Sequence, residues 1–348
     1  MKRILILVLA LALLLPVFVS AEITIDPKAN RGITPQRDLP NNPVIPGESM
    51  TTGLPTELPY IPILVNIDNV AGAWPQWGIG EADIIYEMPI HGLSLTRLMA
   101  LFGYNHPTAA GPVRSGRVLH AEMREEWDAG WAYVGVQTKK GTSVKDAIRE
   151  LGLRKKSAPL LMDGKHMGSV SHHSGPHNHS INLQKAAATI AEYPFPQRPF
   201  LFTDALPEAG DPATSIRLLY GGGNESSYTN SSYTYDAATK LYTRMRNKRP
   251  YVDMKAADPN ASLTFSNVIV QWTDLKFNGA ANAPILKEVG EGNADIFTGG
   301  KHIAGYWVRK DLGSRTIFFD QDGQEIKLQR GKTWINITTE RSTVVRYE

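Results

Sequence analysis

Four of the nine histidines of this chain crowd into residues 172–179, inside the stretch SHHSGPHNHSIN. Imidazoles this close together raise the chemistry of a metal. In extended backbone His177 and His179 point to one side, whereas adjacent His172 and His173 point to opposite sides. His173, His177 and His179 could therefore meet on one zinc ion, with water as the fourth ligand and His166 as a further candidate. The surrounding Ser, Gly, Pro and Asn are those of a surface loop, and no H-E-x-x-H is present. The pattern S-x-H-x-x-G-x-A-x-D of secreted zinc D,D-carboxypeptidases fails in both registers, at Val170 in one and at Pro176 in the other. The expectation is no cofactor, with zinc on the three histidines as the alternative.

A second constellation is GPVRSGR, Gly111 to Arg117. It precedes an amphipathic segment, so Ser115 and the amides after it are expected at a helix N-terminus, where free N–H groups and partial positive charge attract anions. Arg114 and Arg117 add guanidinium forks suited to phosphate or carboxylate, and Arg97 of LTRL joins them. The competing reading pairs these arginines internally with Asp83 or Glu87 of ADIIYE. Asp68 and Asn69 stand where an apolar run gives way to a Gly/Pro/Trp loop, a common location for ligand-binding side chains and equally for an Asx turn. Trp74 and Trp77 read as a lid on the core in preference to a sugar groove. No P-loop, nucleophile elbow or dinucleotide glycine pattern occurs.

The elements that must position these groups change character along the chain. Strand-like runs occur at 61–68, 82–88, 95–102 and 131–137. Leu119, Met123 and Trp127 recur four apart behind Ser115 as cap. Val144, Ala147, Ile148 and Leu151 follow Ser143-x-x-Asp146, and Leu183, Ala186, Ala187 and Ile190 follow Asn182. Beyond Pro207 come SYTYD, KLYTRM, NVIVQW, ADIFTG, GYWVR, TIFFD, EIKLQ and TWINI, short segments rich in aromatic and β-branched residues. The expected architecture is an α+β or α/β N-terminal domain over 59–206 and a mainly antiparallel all-β C-terminal domain over 207–348.

Ahead of both, Met1-Lys2-Arg3, the apolar run Ile4–Leu15 and Val19-Ser20-Ala21 form a secretory signal peptide, residues 1–21, cleaved near Ala21. Residues 22–62 hold eight prolines, and 22–58 reads as an extended linker. Loss of the leader takes the formal net charge from +3 to about +1, far from the concentrated basic face of a nucleic-acid binder. Membrane contact is expected only through an uncleaved leader. With no cysteine, disulfides, thiolate metal sites and a lipidated N-terminal cysteine are excluded. The expected location is extracytoplasmic, secreted or associated with the envelope.

The segments also stand in a telling order: TGLP, IDN, ADIIYE, LTRLMALF, GPVRSGR and PHN, then YTYD, KLYTRM, NVIVQ, FTGGKHIAGYW, FFDQDGQEI and GKTWI. From about Thr52 to Ile337 the chain resembles the YerB-like family of bacterial secreted or lipid-anchored proteins, catalogued as an N-terminal and a C-terminal part without an assigned reaction. The resemblance implies Asp68, Asn69, Glu87, Arg97, Arg114, Ser115, Arg117, His177 and Asn178 as the polar positions that matter. It places His177 and Asn178 near the Arg/Glu constellation and counts against the histidines as a metal site. The expected function is a non-enzymatic envelope protein holding an anionic phosphate or carboxylate of the wall on the arginines, its partner a wall component or envelope protein. The alternatives are a wall or peptide hydrolase using His177 with Glu87 or Asp68, and a structural or protein-interaction module.

Overall fold

The computed structural model describes residues 21–35, 38–153, 165–277 and 283–348; the leader lies outside them, save Ala21. The N-terminal half supplies β1 (Ile63–Ile67), β2 (Ile84–His91), β3 (Leu95–Phe102), α1 (Val118–Trp127), β4 (Gly130–Ala132), α2 (Val144–Glu150) and α3 (Leu183–Ile190). The C-terminal half supplies β5 (Ser215–Leu219), β6 (Ser231–Asp236), β7 (Leu241–Arg246), β8 (Asn267–Trp272), β9 (Gly290–Thr298), β10 (Lys301–Arg309), β11 (Ile317–Phe319), β12 (Thr333–Thr338) and β13 (Thr343–Tyr347).

The two halves share one sheet. Its strand order is β11-β10-β9-β8-β12-β2-β3-β1-β4, with Asp211–Pro212 added against β10. β12 lies parallel to β8 on one side and to β2 on the other, with Asn336 opposite Glu87. The C-terminal half is otherwise antiparallel in its hairpins β9–β10 and β10–β11. In the N-terminal half β1, β2 and β3 pair antiparallel and only β4 runs parallel to β1. A doubly wound α/β arrangement is therefore not what these strands build.

Strand alternation divides the buried side chains between two cores. Ile85, Leu98, Ala100, Phe102, Val268 and Trp334 face a second sheet, β13-β5-β6-β7, whose Ile216, Leu218, Tyr233, Tyr242 and Val345 meet them. Ile84, Tyr86, Met99, Leu101, Ile269 and Ile335 face the opposite way, against Leu119, Met123 and Trp127 of α1 and Val144 and Ile148 of α2. A strand buried on both faces shows no polar alternation, which is why β2 and β3 read as unbroken apolar runs. Each such side chain contributes about 1.5–3 kcal/mol.

Local signals set two of the helix starts. Ser143 Oγ accepts from the Asp146 amide at 3.3 Å, and Asn182 Oδ1 accepts from the Lys185 amide at 2.9 Å. Ser115 is not a cap. The backbone stays extended through Gly116, whose amide donates to the Gly135 carbonyl at 3.0 Å, and α1 begins at Val118 with Arg117 as N-cap. The proline-rich segment is likewise a strap and not a spacer. Ile23–Thr24 pairs antiparallel with β13, Arg31 forms an ion pair with buried Asp295 at 2.9 Å, and Asn42 donates to Glu325 at 3.1 Å. Proline leaves the backbone extended and short of donors, so such a segment docks through side chains and short edge pairings.

Candidate functional site

β1 ends at Ile67, and the next two residues turn to opposite sides of the sheet. Asp68 enters the helix side, where Arg97 Nη2 lies 3.4 Å from Oδ1, and Arg114 Nε and His177 Nδ1 lie 3.0 and 2.9 Å from Oδ2. The adjacent Asn69 amide donates to Oδ1 at 2.9 Å. Burial pushes the Asp68 carboxyl up; Arg97, the hydrogen bond from His177 and Arg114 overcome this and hold it below its ordinary value. The carboxylate is 1 % exposed, while Arg114 and His177 reach solvent at 25 % and 24 %.

Arg97 also donates to the Ser115 carbonyl at 2.8 Å, so Ser115 serves the cluster through its backbone. Arg117 approaches from the helix start and donates to the Gly116 carbonyl at 3.0 Å. Its Nε and that of Arg97 are buried without acceptors among the described residues. Burial lowers Arg97 to about 10; Asp68 opposes the shift, and Arg117 and Arg114 add to it. His120 beneath them accepts from the Arg117 amide at 3.0 Å and Asn66 Nδ2 at 2.9 Å on the same Nδ1, which puts its ring proton on Nε2. Burial, then Arg97 and Arg117, drive its pKa well below the usual value. Three guanidiniums thus surround one carboxylate, with a neutral imidazole behind.

Asn69 enters the other side. Its Nδ2 donates to Glu87 Oε1 at 3.0 Å and to Thr96 Oγ1 at 2.8 Å, and its Oδ1 accepts from Arg246. Glu87 Oε1 accepts from Thr96 at 2.7 Å, and its Oε2 lies 3.2 Å from Arg244 Nη2. Arg244 is fully buried, with Tyr251 and Trp334 ring centroids 4.1 and 4.0 Å from its guanidinium carbon. Arg246 lies 3.8 Å from the Trp74 centroid in the same manner.

Eight of the nine residues singled out by sequence therefore fall into two linked clusters, and Asn178 stands outside both. Arg97 and Arg114 pair with Asp68, not with Asp83 or Glu87, and Arg117 pairs with none of the three. Glu87 is committed to Asn69, Thr96 and Arg244, which removes it as a partner for His177. Asn178 holds the histidine hairpin by its carbonyl, 2.8 Å from the Val170 amide, and its side chain has no hydrogen bond among the described residues. The zinc trio does not assemble. His177 is held by Asp68, while the rings of His172 and His173 pack on Trp77 at 4.8 and 5.2 Å. His166 bonds Thr189 Oγ1 at 2.9 Å, and among the described residues no three His, Cys, Asp or Glu gather to hold a metal. Trp77 is fully buried, with Nε1 on Ser180 at 3.0 Å, as a core residue should be. Sequence reasoning missed Arg244 and Arg246. The signal was T-R-M-R within a strand, which puts two arginines on one face, the face that also carries Tyr242.

Residues 51–195 match the family model described as protein of unknown function (DUF3048), N-terminal domain, and residues 223–335 match its C-terminal domain. The Bacillus subtilis protein YerB, named as a candidate lipoprotein, is 27 % identical over 304 residues, covering 82 % of this chain and 84 % of YerB. The crystal structure of YerB from Bacillus subtilis superposes with a TM-score of 0.70 at 23 % identity, over 85 % of this chain and 99 % of the solved one. The likeness read from the order of the motifs is thereby borne out, and the fold is shared.

Proposed function

This chain belongs to the DUF3048 family, and we propose that it is an extracytoplasmic cell-envelope protein that holds an anionic wall group, phosphate or carboxylate, on the arginines around Asp68. One observation carries the reading. Arg97 and Arg114 share the single buried carboxylate of Asp68, and Arg117 beside them has no acidic partner within ion-pair distance among the described residues. The surplus positive charge is partly desolvated and reaches solvent at Arg114, where an anion is worth more than in open water. The leader-like N-terminus and the lipoprotein name of YerB support the location. The sequence holds no cysteine, so anchoring through a lipidated cysteine does not transfer with that name.

The test is retention of residues 22–348 on purified wall material and on polyphosphate. Replacing Arg114 and Arg117 together by Ala should lower affinity at least about tenfold, as loss of a charge-assisted hydrogen bond does, with the circular dichroism spectrum unchanged. Equal retention by the variant refutes the reading.

A second reading has its own observation, the 2.9 Å contact from His177 Nδ1 to Asp68 Oδ2. When Nδ1–H donates to that carboxylate, the Nε2 lone pair is left free as a general base, the arrangement a hydrolase would use. His177→Gln would then abolish turnover of wall fragments and leave retention on the wall intact. Retention lost together with His177 would assign the histidine to binding.

A further inference from the structure

Away from this cluster, three segments prominent in the sequence meet at a cleft of about 350 Å³: TGLP at 52–55, ADIIYE at 82–87 and GKTWI at 331–335. The 49–54 loop is fixed by hydrogen bonds from the Ser49 amide to the Leu54 carbonyl and from the Gly53 amide to the Ser49 carbonyl, both 2.8 Å. Gly53 has φ +68°, and a Cβ there would lie 2.4 Å from the Phe202 ring, so the turn demands glycine. The walls are therefore preformed.

Their chemistry is mixed and unpaired. Asp83 Oδ2 accepts from Thr51 Oγ1 at 2.6 Å and from the Gly103 amide at 3.1 Å, while Oδ1 has no protein partner among the described residues. Lys332 Nζ donates to the Gly80 carbonyl at 2.8 Å, which leaves two of its three protons unused. Asp83 and Lys332 influence each other electrostatically, yet neither Asp83 nor neighbouring Glu81 makes an ion pair with the lysine. At the rim Leu54 and Leu58 are 44 % and 51 % exposed. A carboxylate, an ammonium and an aliphatic lip thus line one cleft, with the two charges held apart.

We propose that this cleft binds a zwitterionic amino acid or dipeptide with an aliphatic side chain. The ligand ammonium sits on Asp83 Oδ1 and Glu81, its carboxylate on Lys332 Nζ, and its side chain on Leu54 and Leu58. A neighbouring cleft of about 490 Å³ shares Glu81 and Asn105 with this one and gives a longer peptide room to continue. A free amine would satisfy only the acids and a free carboxylate only the lysine, so recognition requires both ends.

The experiment is isothermal titration of residues 22–348 with L-leucyl-L-leucine, its N-acetyl form and its C-terminal amide. The free dipeptide should bind, and each blocked form at least about tenfold more weakly. Asp83→Asn should erase the preference over the N-acetyl form alone, and Lys332→Gln the preference over the amide alone, each with an unchanged circular dichroism spectrum. No binding of the free dipeptide at millimolar concentration overturns the proposal, as does equal binding of the blocked forms or a variant that keeps both preferences. Ala at Arg114 and Arg117 should leave these titrations unaltered, so failure here and failure of the anion reading are separable.

Discussion

Asp83 is an acid that the fold keeps at a cost. Burial raises its pKa from 3.8 to about 6, against the hydrogen bonds from Thr51 and Gly103. A group with a raised folded pKa binds its proton more tightly in the native state than in the unfolded chain. Its contribution to stability is full below pH 3.8 and is lost as the pH rises through about 6. The span between the two values corresponds to about 3 kcal/mol.

Asp83→Asn removes the titration and preserves the shape. The amide oxygen can still accept from Thr51 and Gly103, and the new NH₂ faces the cleft. The variant should match the parent near pH 4 and exceed it in stability by about 3 kcal/mol near pH 7.5. Urea unfolding at half-unit pH steps, followed by tryptophan fluorescence, measures this directly. Five of the seven tryptophans are fully buried and will report the transition. The decisive quantity is the difference between the two proteins, because other titrating groups cancel in it. A difference that stays constant across this range refutes the reasoning, whatever its sign, since it would mean that Asp83 ionises in the native state as it does in the unfolded chain. A stabilised variant that no longer prefers a free ammonium would also explain why so unfavourable an acid is retained.

Arg244→Leu leaves Glu87 buried without its cation and should cost about 3–5 kcal/mol in urea unfolding, with much of the loss recovered when Glu87→Gln is added. Asp68→Asn strips Arg97 of its counter-charge and should cost about 3 kcal/mol at neutral pH. Because the folded Asp68 pKa lies below 3.8, its contribution is present above that value and fades as the pH falls, so the variant should show a shallower acid limb in a pH titration of stability. Arg31→Ala leaves Asp295 with His302 at 2.8 Å and Trp272 at 2.6 Å and no guanidinium, and should lower stability by roughly 3 kcal/mol. Hydrogen exchange should then rise first at Ile25, whose amide donates to the Val345 carbonyl at 2.9 Å.

What the sequence disclosed was what is written locally. Ser143 and Asn182 were legible as caps because a cap and its amide lie three residues apart. Ser115 misled because the same local pattern was overridden by a distant strand pairing at Gly135. The polar residues of the site were legible as a set and not as an arrangement. Asp68 and His177 are 109 positions apart, and nothing in either neighbourhood encodes that their side chains meet. The strap was illegible for a different reason: an extended, proline-rich segment has no periodicity to detect, although Arg31 reaches across 264 positions to Asp295.

The same limit explains why the division into halves at the level of sequence understates how they are joined. Reading β12 as one more C-terminal strand is correct for its composition and silent on its neighbours. In the fold it inserts between β8 and β2, so the central sheet closes only when both halves are present. The buried charges follow the same seam. Glu87 comes from one half and Arg244 from the other, as do Asn69 and Arg246. Either half alone would bury one member of each pair without its partner, or leave it in water with the β2 edge unpaired. The charge network around Asp68 rests on the first half, but Asn69, the next residue, is held by the second. The position of the candidate anion site therefore depends on the seam being closed, and a change at Arg246 reaches Asp68 through one peptide bond.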